Sequence, residues 1–168
     1  GFFEFTETPA AHSALQESGA HIFQGLEIDD GFYRISGEKV TRVVGDESIA
    51  LPDLPMALSN PGAAMAGANL FVAGETTLLK LNPADPEAGW IECAALPESV
   101  GENPAVVASG GVLHVVGTAA FAYHPEGDEW KRLSPPAESL NGFVATACGN
   151  DHLLFFNANQ PDDRIIAY

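Results

Sequence analysis

The pattern that most constrains the fold is a unit of four short segments between Leu51 and Leu96. Gly62 to Ala66 is a run of small residues, and Leu70 to Gly74 is an apolar run that ends in glycine. Leu78 to Leu81 follows, and a Pro-containing turn then leads to a last segment headed by Trp90. Segments this short, bounded by turn residues, predict strands rather than helices. The unit therefore predicts an antiparallel sheet of four strands in about 45 residues.

The same order of segments recurs on both sides of this unit. Glycine or asparagine ends the second predicted strand of each unit, at Gly25, Gly74, Gly117 and Asn157. The spacings are 49, 43 and 40 residues, and a period in the forties is typical of β-propeller blades. We predict four repeats, at residues 7–46, 47–96, 97–134 and 135–168.

The first predicted repeat takes its four strands from segments without a tryptophan. These segments are residues 10–15, 20–25, 31–35 and 39–44. In this interpretation Gly45 to Ser48 is a turn that leads into the second repeat.

The two ends of the chain predict how the propeller closes. The last repeat stops at Tyr168 after its third strand, and Phe2 to Thr6 form an additional strand with no hairpin partner nearby. We predict that Phe2 to Thr6 complete the last repeat beside Arg164 to Tyr168, which removes an open sheet edge. A small closed ring, a fragment, and half of a homodimeric ring are the three arrangements left open.

The composition limits the partners of the chain. Apolar residues make up 46% and charged residues 18% of the sequence, which excludes a disordered chain. There are 7 basic and 23 acidic residues, for a formal charge of −16. A chain this acidic repels phosphate backbones and anionic lipid, so no nucleic-acid or membrane partner is expected. The sequence also has no apolar run of the length that spans a membrane.

No residue spacing indicates a metal or a cofactor. Cys93 and Cys148 lie in different predicted strands and lack CxxC spacing, and the histidines show neither HxxxH nor HxH spacing. No loop has the oxygen-ligand pattern of a calcium site. We predict two buried free thiols, no metal and no cofactor.

Two stretches resemble the kelch repeat, in which an apolar strand ends in glycine and a tryptophan follows a turn. They are Phe71-Val72-Ala73-Gly74 with Trp90, and Val115-Val116-Gly117 with Tyr123 and Trp130. The resemblance implies an all-β, kelch-like β-propeller of about four four-stranded antiparallel blades, closed here by the N-terminal strand. The chain departs from the kelch pattern in lacking a Gly-Gly pair at the ends of the second strands.

Within the kelch proteins, the later repeats resemble the bacterial sialic-acid mutarotase or epimerase group. The similar phrases are Trp90-Ile91-Glu92, Asn103 to Val107, and Leu140-Asn141-Gly142 through Asp151-His152. The resemblance implies a small sugar ligand and cofactor-free isomerisation, in a bacterial periplasm or cytoplasm. The short loops after the second strands instead favour a non-catalytic module that binds a protein partner, so both functions stay open.

A mutarotase needs acid and base groups near the anomeric carbon, and a sialic acid also needs a cation for its carboxylate. Glu98 and Glu102 lie in the linker between two repeats, and Asp53 lies in the preceding linker. Linkers open on the same face as the loops after the second strands, so these carboxylates are expected at the channel mouth. The catalytic candidates are Glu102 and Arg164, and the substrate-binding candidates are Asn103, Glu98 and Asp53. The competing interpretation is that they are ordinary solvated turn residues.

Two residue types in the strands have structural interpretations. Trp90 and Trp130 occupy equivalent places in successive repeats, which predicts packing between adjacent sheets rather than a binding surface. His114 and His152 lie in apolar strands, where core or channel-lining roles are favoured over metal ligation.

Overall fold

The structure is a computed structural model that describes residues 21–24, 31–148, 152–157 and 166–167. Within these residues it consists of strands and one short 3-10 turn, Pro86–Ala88. The strands are β1 His21–Gln24, β2 Gly31–Ser36, β3 Lys39–Val44, β4 Glu47–Ala50, β5 Gly62–Ala66, β6 Asn69–Gly74, β7 Thr77–Leu81, β8 Ile91–Glu92, β9 Ala105–Ser109, β10 Val112–Val116, β11 Ala120–His124, β12 Glu129–Arg132, β13 Phe143–Cys148, β14 His152–Asn157 and β15 Ile166–Ala167.

Antiparallel pairing of consecutive strands produces four sheets, which we number along the chain. The first sheet contains β1 to β4, the second β5 to β8 and the third β9 to β12, whereas the described part of the fourth contains β13 to β15. Tight turns join β2 to β3 and β5 to β6, where Gly37 and Gly67 adopt φ of 60° and 58°. Two-residue hairpin turns require such positive φ values, which glycine adopts without steric cost. The predicted all-β class and antiparallel four-stranded sheets are thereby confirmed.

The strand assignment predicted for the first repeat is wrong. Residues 39–44 form the third strand of the first sheet, and Glu47–Ala50 pairs with them as the fourth. The predicted boundary between residues 46 and 47 therefore divides a hairpin, and residues 21–24 form the first strand rather than the second. The sequence concealed the fourth strand because all four of its residues are exposed and show no apolar alternation.

With this correction the repeat becomes more regular than the sequence suggested. The second strands of the four sheets begin at residues 31, 69, 112 and 152, so the spacings are 38, 43 and 40 residues. The predicted strands at residues 10–15 and 2–6, and the proposed closure through Arg164, lie outside the described residues.

Successive sheets pack face to face, and the first three strands of the second and third sheets bury side chains on both faces. Leu70 and Val72 of β6 pack with residues of the first sheet, whereas Phe71 between them packs with residues of the third. Val116 of the third sheet shares a further cluster with Phe155 of the fourth. Because side chains alternate along a strand, each interior strand contributes to two cores.

The first strands of successive sheets lie side by side. Strand β5 contacts both β1 and β9, and β9 contacts β13. Small residues permit this approach: a Cβ added to Gly62 would lie 2.2 Å from the backbone oxygen of Pro104. Sheets arranged with adjacent first strands and packed faces have the local geometry of propeller blades.

Trp90 and Trp130 pack between sheets, as predicted from their equivalent positions. Trp90 packs against the cluster between the first and second sheets, and its Nε1 donates to the backbone oxygen of Pro52 at 2.9 Å. Trp130 packs against the cluster between the second and third sheets and donates to Ala94 O at 2.7 Å. Each tryptophan therefore connects its own sheet to the linker that leads into that sheet from the preceding sheet.

Replacing either tryptophan by alanine should destabilise the protein. We expect Trp130→Ala to lower the free energy of unfolding by about 3 kcal/mol, because a large partly buried ring is lost. Trp130→Phe should cost roughly 1–2 kcal/mol, since a smaller ring stays and the hydrogen bond is lost. Urea unfolding measures the free energy of unfolding of both Trp130 variants. Ile91→Ala is the control, because the Ile91 side chain is 52% exposed. A loss below about 1 kcal/mol at both tryptophans would contradict inter-sheet packing.

The two cysteines differ in exposure, so the prediction of two buried thiols is correct only for Cys93. Both thiols are free, Cys93 is buried, and Cys148 is exposed. Cys148 ends β13 on the same face as Val144, whereas the alternate residues Phe143, Ala145 and Ala147 pack against the third sheet. The apolar sequence around Cys148 did not reveal which face it occupies.

Alkylation should distinguish the two thiols. We expect iodoacetamide to label Cys148 in the native protein and Cys93 only after unfolding, because burial raises the pKa of the Cys93 thiol and blocks access. Peptide mass spectrometry measures the labelling of each site. Equal native labelling of both cysteines would contradict the assigned faces.

Candidate functional site

The linkers between sheets meet the turns after the second strands at one end of the molecule. Val100, in the linker between the second and third sheets, donates its N–H to Glu75 O at 3.2 Å. Its own oxygen accepts from Thr118 N at 3.1 Å, so one linker residue joins the turns of two sheets. In the next linker Leu140 N donates to Gly117 O at 3.2 Å. This confirms the expectation that linkers and second-strand turns share a face, which we call the mouth.

A chain of backbone hydrogen bonds connects the linkers just before the first strands. Asn103 N donates to Asn60 O at 2.7 Å, and Gly142 N donates to Asn103 O at 2.8 Å. Asn60, Asn103 and Gly142 have φ of 45°, 53° and 81°, so all three occupy the left-handed region. Asparagine and glycine are the residues that adopt it most readily. These backbone hydrogen bonds therefore connect the same turn position in three consecutive linkers.

The side chains of Glu102 and Asn103 are exposed and lie beside this series of backbone hydrogen bonds. The Glu102 carboxylate receives one long hydrogen bond, from Asn60 Nδ2 at 3.4 Å. Among the described residues, no side-chain hydrogen bond holds the Asn103 amide. A carboxylate and an amide thus lie next to each other on a fixed turn with most of their hydrogen-bonding capacity unused.

Asn141 immobilises the same turn from the next linker. Its Nδ2 donates to Val100 O at 3.0 Å and to Glu102 O at 2.5 Å, and its Oδ1 accepts from Ser139 Oγ. Sequence reasoning gave Asn141 no role of its own, although it is one residue before a left-handed position equivalent to Asn103. That repeated asparagine near the start of a first strand was the available signal.

Glu98 is close to the mouth but is engaged by another residue. Its two carboxylate oxygens accept from the two terminal nitrogens of Arg132 at 2.8 Å each. These hydrogen bonds hold the pKa of the Glu98 carboxyl below its usual value. Arg132 also lies over the Phe121 ring, 5.6 Å from its centroid. The pair joins the second linker to the outer strand of the third sheet, which is an architectural contact.

Asp53 is also engaged. Its carboxylate pairs with Lys39 Nζ at 2.5 Å, and this hydrogen bond raises the pKa of the Lys39 amine. Lys39 begins β3, so the pair links the first linker to a hairpin of its own sheet. Of the predicted site residues, the structure places Glu102 and Asn103 together and ties Glu98 and Asp53 to cations. Arg164 lies outside the described residues.

The histidines do not assemble a metal site in the described part of the chain. No group of three His, Cys, Asp or Glu side chains there is placed to hold a metal ion. His114 is half-buried with an unpartnered Nδ1, and burial lowers its pKa, whereas His152 is exposed. In the same described ranges, no helix has the length and hydropathy needed to cross a membrane.

The largest pKa shift belongs to a contact between sheets. Tyr123 donates to Asp128 Oδ1 at 2.6 Å, and the same oxygen accepts from Ala94 N at 2.8 Å. Burial raises the pKa of Tyr123, and the bond from Ala94 N lowers that of Asp128. Since Tyr123 packs against Phe71 and Trp130 in the core between the second and third sheets, we interpret this group as structural.

Sequence comparison finds distant relatives of known name. No protein-family model matches the chain. It is 28% identical over 138 residues to two proteins named N-acetylneuraminate epimerase, from Haemophilus influenzae strains PittEE and 86-028NP. The match covers 67% of this chain and 36% of each relative. The chain therefore spans little more than a third of the length of these relatives.

Structural comparison supports the fold. The solved structure of YjhT, a propeller, superimposes with a TM-score of 0.68 at 12% sequence identity. The superposition covers 83% of this chain and 56% of YjhT. At this identity the likeness shows a common all-β architecture of packed antiparallel sheets.

The Glu98–Arg132 pair predicts a pH dependence. Because the folded pKa of Glu98 is lowered, the pair stabilises the protein above the unfolded value of about 4.3 and is lost as the pH falls through the folded value. Carboxyl ¹³C NMR should show Glu98 titrating below its ordinary pKa in the parent protein and near it in Arg132→Gln. Lys131→Gln, at the neighbouring position of β12, should retain the shift. An unchanged midpoint in Arg132→Gln would contradict the assigned cause.

Proposed function

We propose that this chain forms part or all of a kelch-like propeller whose mouth binds a sugar and opens and closes its ring. The observation that carries the proposal is the position of the exposed Glu102 carboxylate, which accepts one long hydrogen bond from Asn60, next to the exposed Asn103 amide on a fixed turn. The distant match to proteins named N-acetylneuraminate epimerase supports a sugar as the ligand. A ring of about four repeats closed by residues 2–6 is part of the same proposal.

The proposed reaction needs acid–base groups but no cofactor. Glu102 accepts the proton of the anomeric hydroxyl while the bond between the anomeric carbon and the ring oxygen breaks, and water protonates the ring oxygen. Rotation and the reverse steps close the ring as the other anomer, and Glu102 returns the proton. The Asn103 amide orients a neighbouring hydroxyl by donating and accepting hydrogen bonds.

Recognition of an acidic sugar requires a cation. Two of the described basic residues near this end, Lys39 and Arg132, are paired with Asp53 and Glu98. We therefore propose Arg164 as the partner of a substrate carboxylate, with Glu98 and Asp53 acting indirectly by holding the linkers. This assignment replaces their predicted role in direct substrate binding.

A non-catalytic protein-interaction module is the second candidate, and an exposed apolar pair favours it. Val144 and Phe156 are cross-strand partners in the fourth sheet, and 44% and 38% of their surfaces are exposed. They lie on the face opposite to the cluster shared with the third sheet. A partner protein or a second copy of the chain would bury this pair, and a homodimer is included in this alternative.

Anomerisation assays test the choice. Saturation-transfer and exchange NMR with N-acetylneuraminic acid and neutral aldoses should show faster exchange between anomers with the parent protein. We expect Glu102→Gln to lower the catalysed rate about 100-fold, because the base is lost. Asn103→Ala should weaken it about tenfold, since a single orienting group is removed. Glu47→Gln, an exposed carboxylate on β4, is the control.

The competing outcome is equally specific. If the parent protein neither binds nor anomerises any of these sugars, the proposal fails. Loss of self-association or partner binding in Val144→Asp would then support the interaction module.

A further inference from the structure

Asn141, in the linker before the fourth sheet, makes hydrogen bonds to the turn that carries Glu102 and Asn103 in the preceding linker. The Asn141 side chain makes three hydrogen bonds, one through Oδ1 and two through Nδ2. Two of these reach backbone oxygens on either side of Gly101, at Val100 and Glu102. We propose that Asn141 is a positioning residue that holds Glu102 and Asn103 in the geometry used at the mouth, and this inference rests on the proposed function.

The amide orientation is set by its neighbours. Ser139 donates to Oδ1, so Nδ2 is directed toward the two carbonyl groups as a donor. Gly117 leaves the space this amide occupies: an added Cβ there would lie 2.9 Å from Asn141 Nδ2 and 2.1 Å from Val100 O. A side chain at residue 117 would displace the contact, so the third sheet is shaped to accept it.

The bonded atoms determine what Asn141 influences. It contacts the backbone of Glu102, not the carboxylate, so it acts on the placement of the group and not on its proton affinity. Gly101, between the two bonded carbonyls, has φ of 80°, and Asn103 follows with φ of 53°. Without a second support, these two left-handed residues would leave a short linker with several accessible backbone conformations.

The three repeats differ in a way that agrees with a positional role. Asn60 and Asn103 each stand at the left-handed position and precede a proline, whereas in the third linker glycine takes that position and the asparagine lies one residue earlier. This shift directs the Asn141 side chain toward the preceding linker. Its amide therefore serves the turn of Glu102 and Asn103 in addition to its own.

A set of substitutions separates positioning from general stability. Asn141→Asp keeps the size and the acceptor but loses both donated bonds, and Asn141→Ala loses all three. Ser139→Ala loses the orienting bond and the 3.4 Å bond that its Oγ accepts from Asn141 N. We expect catalysed anomerisation to fall at least tenfold in kcat for the first two and by a smaller factor for Ser139→Ala, with little change in KM. Asn69→Ala, a half-buried asparagine at the opposite end of the second sheet, should leave the rate unchanged.

Backbone NMR relaxation tests the inference independently of catalysis. Order parameters of the amides at residues 101–103 should fall in Asn141→Asp and Asn141→Ala, while those of β9 and β10 stay at the parent values. Parent-like order at residues 101–103 in both variants overturns the inference, as does an unchanged kcat. If the parent protein acts on no sugar, the proposed function fails, and the relaxation result alone decides whether Asn141 positions the turn.

Discussion

Face-to-face packing of apolar sheets is the interaction on which the rest of this structure depends. The second and third sheets bury both faces, so Phe71 serves one core and its neighbours Leu70 and Val72 serve another. Neither sheet has a polar face to present to water, and each is stable only between its neighbours. The small residues of the first strands, with Gly62 the tightest, let the sheets approach at one edge, while Trp90 and Trp130 fill the space toward the other.

Sequence patterns predicted these interior sheets well because burial imposes a strong signal. Strand β5 was predicted at the residues where it occurs, and both tryptophans were assigned to packing between sheets. The pattern failed where burial is weak. Strand β4 is exposed at every residue, and its first two residues were assigned to a turn, so the whole first repeat was displaced by one strand. Cys148 was assigned to the core because its neighbours are apolar, although it points to the open face of its sheet.

The candidate site was predictable only as a region. Linkers and second-strand turns share one end by topology, and Glu98, Glu102 and Asp53 all lie in linkers. Which carboxylates form ion pairs depends on cations distant in sequence: Arg132 lies 34 residues from Glu98, and Lys39 lies 14 residues from Asp53. No local pattern indicates such pairs. The role of Asn141 was hidden for the same reason, since its bonds reach residues 39 and 41 positions away.

These long-range contacts divide the polar residues at the mouth into two groups with different consequences. Glu98, Asp53 and Asn141 use their hydrogen-bonding groups on the protein itself and thereby hold the linkers against the sheets. Glu102 and Asn103 are attached to the same linkers but have few partners of their own. A sugar-binding site needs hydrogen-bonding groups that are fixed in position but do not already bond to other protein groups. The hydroxyl groups of the sugar then replace water at these groups and do not have to break contacts within the protein. The packed sheets provide the rigidity, and the backbone bonds from Asn60 to Asn103 to Gly142 transmit it to the turn. The architecture thus accounts for why the Glu102 carboxylate, with its single long hydrogen bond, and the Asn103 amide are adjacent to the most constrained backbone of this linker.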